Sequence, residues 1–187
     1  MNPLSFLRRL ASRRRDRRRR PEVTAFDEAV ARVRPGELPI DCGAKGGKFT
    51  LPMARSGAEV YAFEPNPDAH ARLVANLAAY PNVRVLQAAV TTAPGDVKLY
   101  LHRYAEDDPL HFSTGSSLVG SKRNVSEDRF VMVEGVPFAA FLRGLGERRG
   151  GLLEKEIRGG PGGVLKQLLH GGLAERIRHA LVGGHDP

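Results

Sequence analysis

Asp41, a glycine turn from Gly43 to Gly47, and Glu64 combine residue type and spacing in a way that points to ligand chemistry. Glycine lets a backbone approach a ligand where a Cβ would block it. Glu64 follows Gly43 by 21 positions, close to the spacing of about 20 that brings an acid at a second strand's tip onto a ribose hydroxyl. The chemistry implied is the holding of a nucleotide-type cofactor. Such a site needs strand, turn, helix, strand and acid in that order. The chain offers a short apolar run from Leu38 to Cys42, the turn, a helix expected over Lys48 to Arg55, and a strand over Val60 to Phe63.

Charge bears on which cofactor fits. Asp41 stands immediately before the turn, where it would repel a dinucleotide's pyrophosphate and suit the ammonium and sulfonium of S-adenosylmethionine. Lys45 and Lys48 act the other way, because cations at a helix start favour an anion. Local charge therefore gives only a modest preference for S-adenosylmethionine.

The stretch from Asp41 to Glu64 resembles the FkbM family of S-adenosylmethionine-dependent O-methyltransferases, in which an aspartate, glycine, alanine, asparagine turn precedes a phrase like AFEPNP. That phrase stands here as Ala62-Phe63-Glu64-Pro65-Asn66-Pro67, although Lys45 occupies the asparagine position. Further landmarks follow in order: Gln87-Ala88-Ala89-Val90, Gly115-Ser116-Ser117-Leu118, and the segment from Gly171 to His179. The resemblance covers roughly Ile40 to Asp186. It implies a Rossmann-like class I methyltransferase sheet, α/β and mostly parallel. It also implies S-adenosylmethionine as cofactor and methyl transfer to a hydroxyl of a small molecule or sugar. By the same resemblance Asp41, Gly43 and Gly47 shape the methionine end of the site, and Glu64 binds the ribose.

Methyl transfer to oxygen needs an aligned hydroxyl and a group that takes its proton. After the fourth strand the family shows a pattern resembling KxDxEGxE; the matching stretch here runs from Glu154 to Pro161 and keeps only Gly159 and an acid at Glu156. Glu156 lengthens the expected aspartate by about one C–C bond, ~1.5 Å. Arg158 and Pro161 replace acids. His185, in Gly183-Gly184-His185-Asp186, matches the histidine of a family phrase resembling ETHD, with the preceding acid and threonine replaced by glycine. Glu156 and His185 are the candidate catalytic residues. Ser116 and Ser117 are candidates for the acceptor side. His102 and His111 flank Glu106, Asp107 and Asp108, but the spacing makes no convincing ligand set, so no metal is expected.

The net charge of +8 on 187 residues first suggests a polyanion binder. Its location changes that. Residues 1–20 hold nine Arg and one Asp, and the remainder carries 20 basic against 20 acidic side chains. The expectation is a basic arm over 1–20, able to rest on an anionic membrane surface or a polyanion such as RNA, followed by one domain over 21–187. A disordered leader without function is the simpler alternative. The arm lacks a secretory signal's apolar core, and no apolar run is long enough to span a bilayer. The lone Cys42 can form no internal disulfide and reads as a packed side chain. A cytoplasmic protein is expected.

Along the chain, a first helix is expected over Thr24 to Val33, capped by Thr24 and Asp27. Asn66 should cap a helix from Pro67 to Ala79 whose inner face holds His70, Leu73, Val74 and Leu77. Val83 to Leu86 is a third strand, which makes alternating strands and helices and hence a parallel sheet. Strands at Val97 to His102 and Arg129 to Val136 suggest an antiparallel excursion. A helix over Pro137 to Leu145, a strand over Leu152 to Ile157, a helix over Val164 to Leu169 and a strand over Ile177 to Val182 complete the reading. The family topology implies two further strands that the sequence to Pro187 does not supply, leaving an edge through which two copies could pair as a homodimer. Two other function classes compete: a binding protein that keeps the cofactor cradle without catalysis, and a nucleic-acid or membrane-surface module working through the arm.

Overall fold

The computed structural model describes residues 20–33, 36–105, 115–121, 123–146, 148, 150–155 and 161–182. The 1–20 arm, apart from Arg20, and the candidates Glu156 and His185 lie outside these residues, as do Glu106, Asp107, Asp108 and His111.

A five-stranded, all-parallel sheet in the order β3-β2-β1-β7-β8 forms the centre of the protein. Its strands are β1 (Ile40–Cys42), β2 (Val60–Phe63), β3 (Val83–Leu86), β7 (Gly150–Lys155) and β8 (Ile177–Val182). The chain builds outward from β1 through β2 to β3, leaves the sheet, and re-enters at β7 on the other side of β1. That reversal lies between β1 and β7, the place where open parallel sheets leave a crevice beyond the strands' carboxyl ends.

Both faces of the sheet are covered, and β2 shows why. Val60 and Ala62 point to one side, where Met53 and Ala54 of α2 (Thr50–Arg55) and Leu73 and Leu77 of α3 (Pro67–Leu77) bury them. Tyr61 and Phe63 point to the other. There Phe141 of α4 (Phe138–Gly144) meets Tyr61 and Phe63 edge-on, at ring separations of 5.3 and 5.0 Å. Val164 and Leu168 of α5 (Pro161–His170) extend the same cluster. This period-two partition is what a strand buried on both faces requires.

Between β3 and α4 the chain makes a second, three-stranded sheet in the order β4-β6-β5. In it β5 (Gly95–His102) runs antiparallel to the long β6 (Val125–Pro137), and β4 (Ala89–Thr91) lies parallel to β6 on the other side. The expected antiparallel excursion is therefore a sheet of its own, with Ala89, Leu99 and Val133 buried between its strands and Leu118. Gly135 of β6 must be glycine: a Cβ there would stand 2.5 Å from the Gly95 carbonyl oxygen.

Several element boundaries differ from expectation. The first helix, α1, runs Arg20–Ala31, so Thr24 lies inside it and is not its cap. Pro21 explains the earlier start, since a first-turn proline gives up no needed hydrogen bond. α2 begins at Thr50, because the turn before it extends through Phe49. α5 begins at Pro161 and carries Gly162 and Gly163 in its first turn, with proline fixing the entry that glycine alone would leave loose. Val74 of α3 is 45 % exposed instead of core, while Ala69 takes its place beside Leu73 and Leu77. Among the described residues, no helix is long and apolar enough to cross a membrane.

Candidate functional site

The carboxyl ends of β1 and β2 are joined by the glycine turn, and its backbone conformations show why glycine is there. Gly43 and Gly47 have φ of 97° and 88°, values that L side chains rarely adopt. The amides of Gly43 and Ala44 both donate to the Phe63 carbonyl, at 2.8 and 3.0 Å, which swings the chain from the end of β1 across the end of β2. Gly47 is also packed: a Cβ would come within 3.0 Å of Leu73 Cδ1. Asn76 of α3 holds the turn from the other side by donating from Nδ2 to the Gly46 carbonyl at 2.9 Å.

Lys45 has φ of 52° despite its side chain. Its amide shows what stabilises this conformation: it donates to Glu64 Oε2 at 2.7 Å. The other oxygen, Oε1, accepts from the Asn66 amide at 2.9 Å. Glu64 is thus the point at which the turn after β1 and the start of α3 are tied together, and it is only 4 % exposed. Burial pushes its carboxyl up to about 7; the backbone donors of Asn66 and Lys45 oppose that rise, and the nearby Asp41 charge adds to it.

Asp41 lies deeper, at 1 % exposure. Its Oδ2 accepts a 2.6 Å hydrogen bond from the hydroxyl of Thr50, the first residue of α2, itself fully buried. Asp41 therefore fixes the far end of the turn as Glu64 fixes its middle.

Asn66 performs two tasks. Its Oδ1 caps α3 by accepting from the amides of Asp68 and Ala69, at 3.0 and 3.1 Å, as the sequence indicates. Its Nδ2 donates to Ser116 Oγ at 2.9 Å, bringing the Gly115 to Leu118 segment to the cradle. Ser117, by contrast, is 1 % exposed and pairs with Tyr100 through backbone hydrogen bonds, so it builds the second sheet.

Asp41, Gly43, Gly47 and Glu64 are thus brought together, with Ser116 joined to them through Asn66. Thr50 and the second role of Asn66 were not foreseen. Thr50 could have been found as the hydroxyl residue opening the helix after Asp41. Ser116 lies 50 positions from Asn66, and no local pattern links the two. His102 accepts from the Tyr104 amide at 3.3 Å through Nδ1 and packs its ring on Gly115. Among the described residues, no group of three or more His, Cys, Asp or Glu side chains could hold a metal ion. Cys42 is buried in the core cluster with Ile40 and Phe63, as a packed side chain should be.

Chemically, the arrangement offers two buried carboxyl groups at the carboxyl ends of β1 and β2, beside the sheet's point of reversal. No protein-family model matches the chain, and no match is found among curated proteins or solved structures.

Proposed function

We propose that the cradle binds S-adenosylmethionine and that the protein transfers its methyl group to a hydroxyl of a small molecule or sugar, on a Rossmann-like methyltransferase sheet. One observation carries the reading: a glycine turn at the β1 end closes onto a buried acid at the β2 tip, beside the reversal of strand order. The donor set suits the cofactor. A carboxylate offers about four acceptor positions, and Glu64 uses two for backbone amides, which leaves capacity for ribose hydroxyls. Asp41 and Glu64 together favour a ligand with cationic character over a pyrophosphate.

When bound, S-adenosylmethionine supplies an electrophilic methyl group. The chain's contribution is to hold and orient. Glu64 accepts from the ribose, the turn gives the ligand a close backbone approach, and Ser116 borders the acceptor side through its link to Asn66. Proton removal is assigned to Glu156 or His185 by the family resemblance. A second reading, a protein that binds the cofactor without transferring its methyl group, draws on the departures at Arg158 and Pro161.

Calorimetric titration of the full chain with S-adenosylmethionine tests the first step. Wild type should bind, and Glu64→Ala should weaken binding by at least about tenfold, the loss of charge-assisted hydrogen bonds worth about 1.5–3 kcal/mol. A folded wild type that gives no binding would sink both readings. Incubation with a panel of sugars and small alcohols then separates them, since transfer should appear with an active enzyme and be absent from a binding protein.

A further inference from the structure

A cleft of about 510 Å³ opens at the far end of the β5–β6 hairpin, away from the β1–β2 turn in sequence. Its volume lies in the range of small-ligand sites, about 300–1,000 Å³. Arg103 and Arg123 line it, Ser121 and Ser126 add hydroxyls, and Glu127 is the third charged residue of the lining.

Hydrogen bonds fix the frame of this cleft. The Arg103 amide donates to the Asn124 carbonyl at 3.1 Å, and Asn124 Nδ2 donates to the Gly115 carbonyl at 2.8 Å. Gly120 lies flat on the Tyr100 ring, where a Cβ would meet Cζ at 2.9 Å. Val125, 3 % exposed, is its apolar wall residue. Both arginines are exposed, and among the described residues neither guanidinium is engaged in an ion pair or hydrogen bond. Two arginines against one glutamate in a single lining leave the cleft an excess of positive charge, and guanidinium forks match an oxyanion.

We propose that this cleft is a binding site for a phosphorylated polyol of sugar-phosphate size. The two guanidinium forks and the two serine hydroxyls supply donors for the three terminal oxygens of a phosphate monoester, more than a carboxylate's two oxygens require. Glu127 disfavours a bare polyanion and provides an acceptor for the hydroxyls of the polyol. The site stands on the second sheet and is independent of what the β1–β2 cradle holds.

The test is calorimetric titration of the full chain with glucose 6-phosphate, glucose and inorganic phosphate. Glucose 6-phosphate should bind more tightly than either of the others. The double variant Arg103→Ala/Arg123→Ala should lower its affinity by at least about tenfold, and the corresponding lysine pair should recover only part of the loss, because lysine keeps the charge without the fork. Glu127→Gln should tighten inorganic phosphate severalfold. Absence of glucose 6-phosphate binding to wild type, or equal binding by the double alanine variant, would overturn the assignment. S-adenosylmethionine affinity should be the same in wild type and double variant; a parallel fall would place these arginines in the cradle and overturn a separate second site.

Discussion

The cradle between β1 and β2 and the cleft at the end of β5 and β6 both assemble charged groups, yet they do so under opposite conditions. In the cradle the charges are acidic and buried, and backbone amides and a threonine hydroxyl hold them. In the cleft the two arginines are exposed. Burial makes the cradle's electrostatics part of folding, because a poorly served buried carboxylate destabilises the native state itself. Exposure makes the cleft's electrostatics nearly neutral for folding and available to a ligand. Substitutions should therefore disturb stability at the first region and binding at the second.

The largest expected effect is at Gly47. Gly47→Val should destabilise the protein by about 3 kcal/mol, since it adds strain at positive φ and crowds Leu73. Gly46→Ala next to it, whose Cβ would lie 3.7 Å from the nearest atom, should change stability by less than about 1 kcal/mol. Chemical denaturation of both variants compares conformational need with mere glycine content. Equal effects would show that the turn does not depend on Gly47.

The second effect concerns pH. Glu64 is raised from 4.5 to about 7 in the folded protein, so the native state binds the proton more tightly than the unfolded chain. Its contribution is therefore most favourable below about pH 4.5 and is lost as pH rises through about 7, a change of roughly 3 kcal/mol. Glu64→Gln should remove that slope and be relatively more stable at pH 8 than at pH 5 when each is measured against wild type. A wild-type stability that rises steadily from pH 5 to 8, unaltered by the substitution, would contradict the burial of this acid.

Ser116→Ala should cost about 1 kcal/mol, the loss of one hydrogen bond to Asn66. Asn66→Ala removes the cap as well and should cost about twice that. At the cleft, Arg103→Ala and Arg123→Ala should each shift unfolding by less than about 0.5 kcal/mol. A substantial loss of stability from either arginine would erase the contrast between the two regions.

The strands were most legible where local sequence alone decides. β2, β3 and β8 occupy the expected residues, and Asn66 caps α3. Three helix starts moved where proline or the turn sets them. Pro21 and Pro161 carry helices further toward their N-termini, and the hydrogen-bonded turn delays α2 to Thr50. The spacing of Asp41, Gly43 and Glu64 foretold that these residues would meet. It gave no sign that Glu64 would spend both oxygens on the backbone, because amide donors leave no mark in residue type. The antiparallel pair of β5 and β6 was foreseen, but the third strand of that sheet was hidden, since β4 is three residues long and pairs with β6 across more than 40 positions.

The 2.7 Å contact between the Lys45 amide and Glu64 also makes the turn its own reporter. An amide proton held by an ionised carboxylate is drawn strongly toward the acceptor, and neutralising that acceptor releases it. In a proton–nitrogen correlation spectrum the Lys45 and Asn66 resonances should move together, with a shared midpoint near the value of about 7 set for Glu64. Two backbone signals would thus read the charge at the centre of the cradle without a label or a ligand.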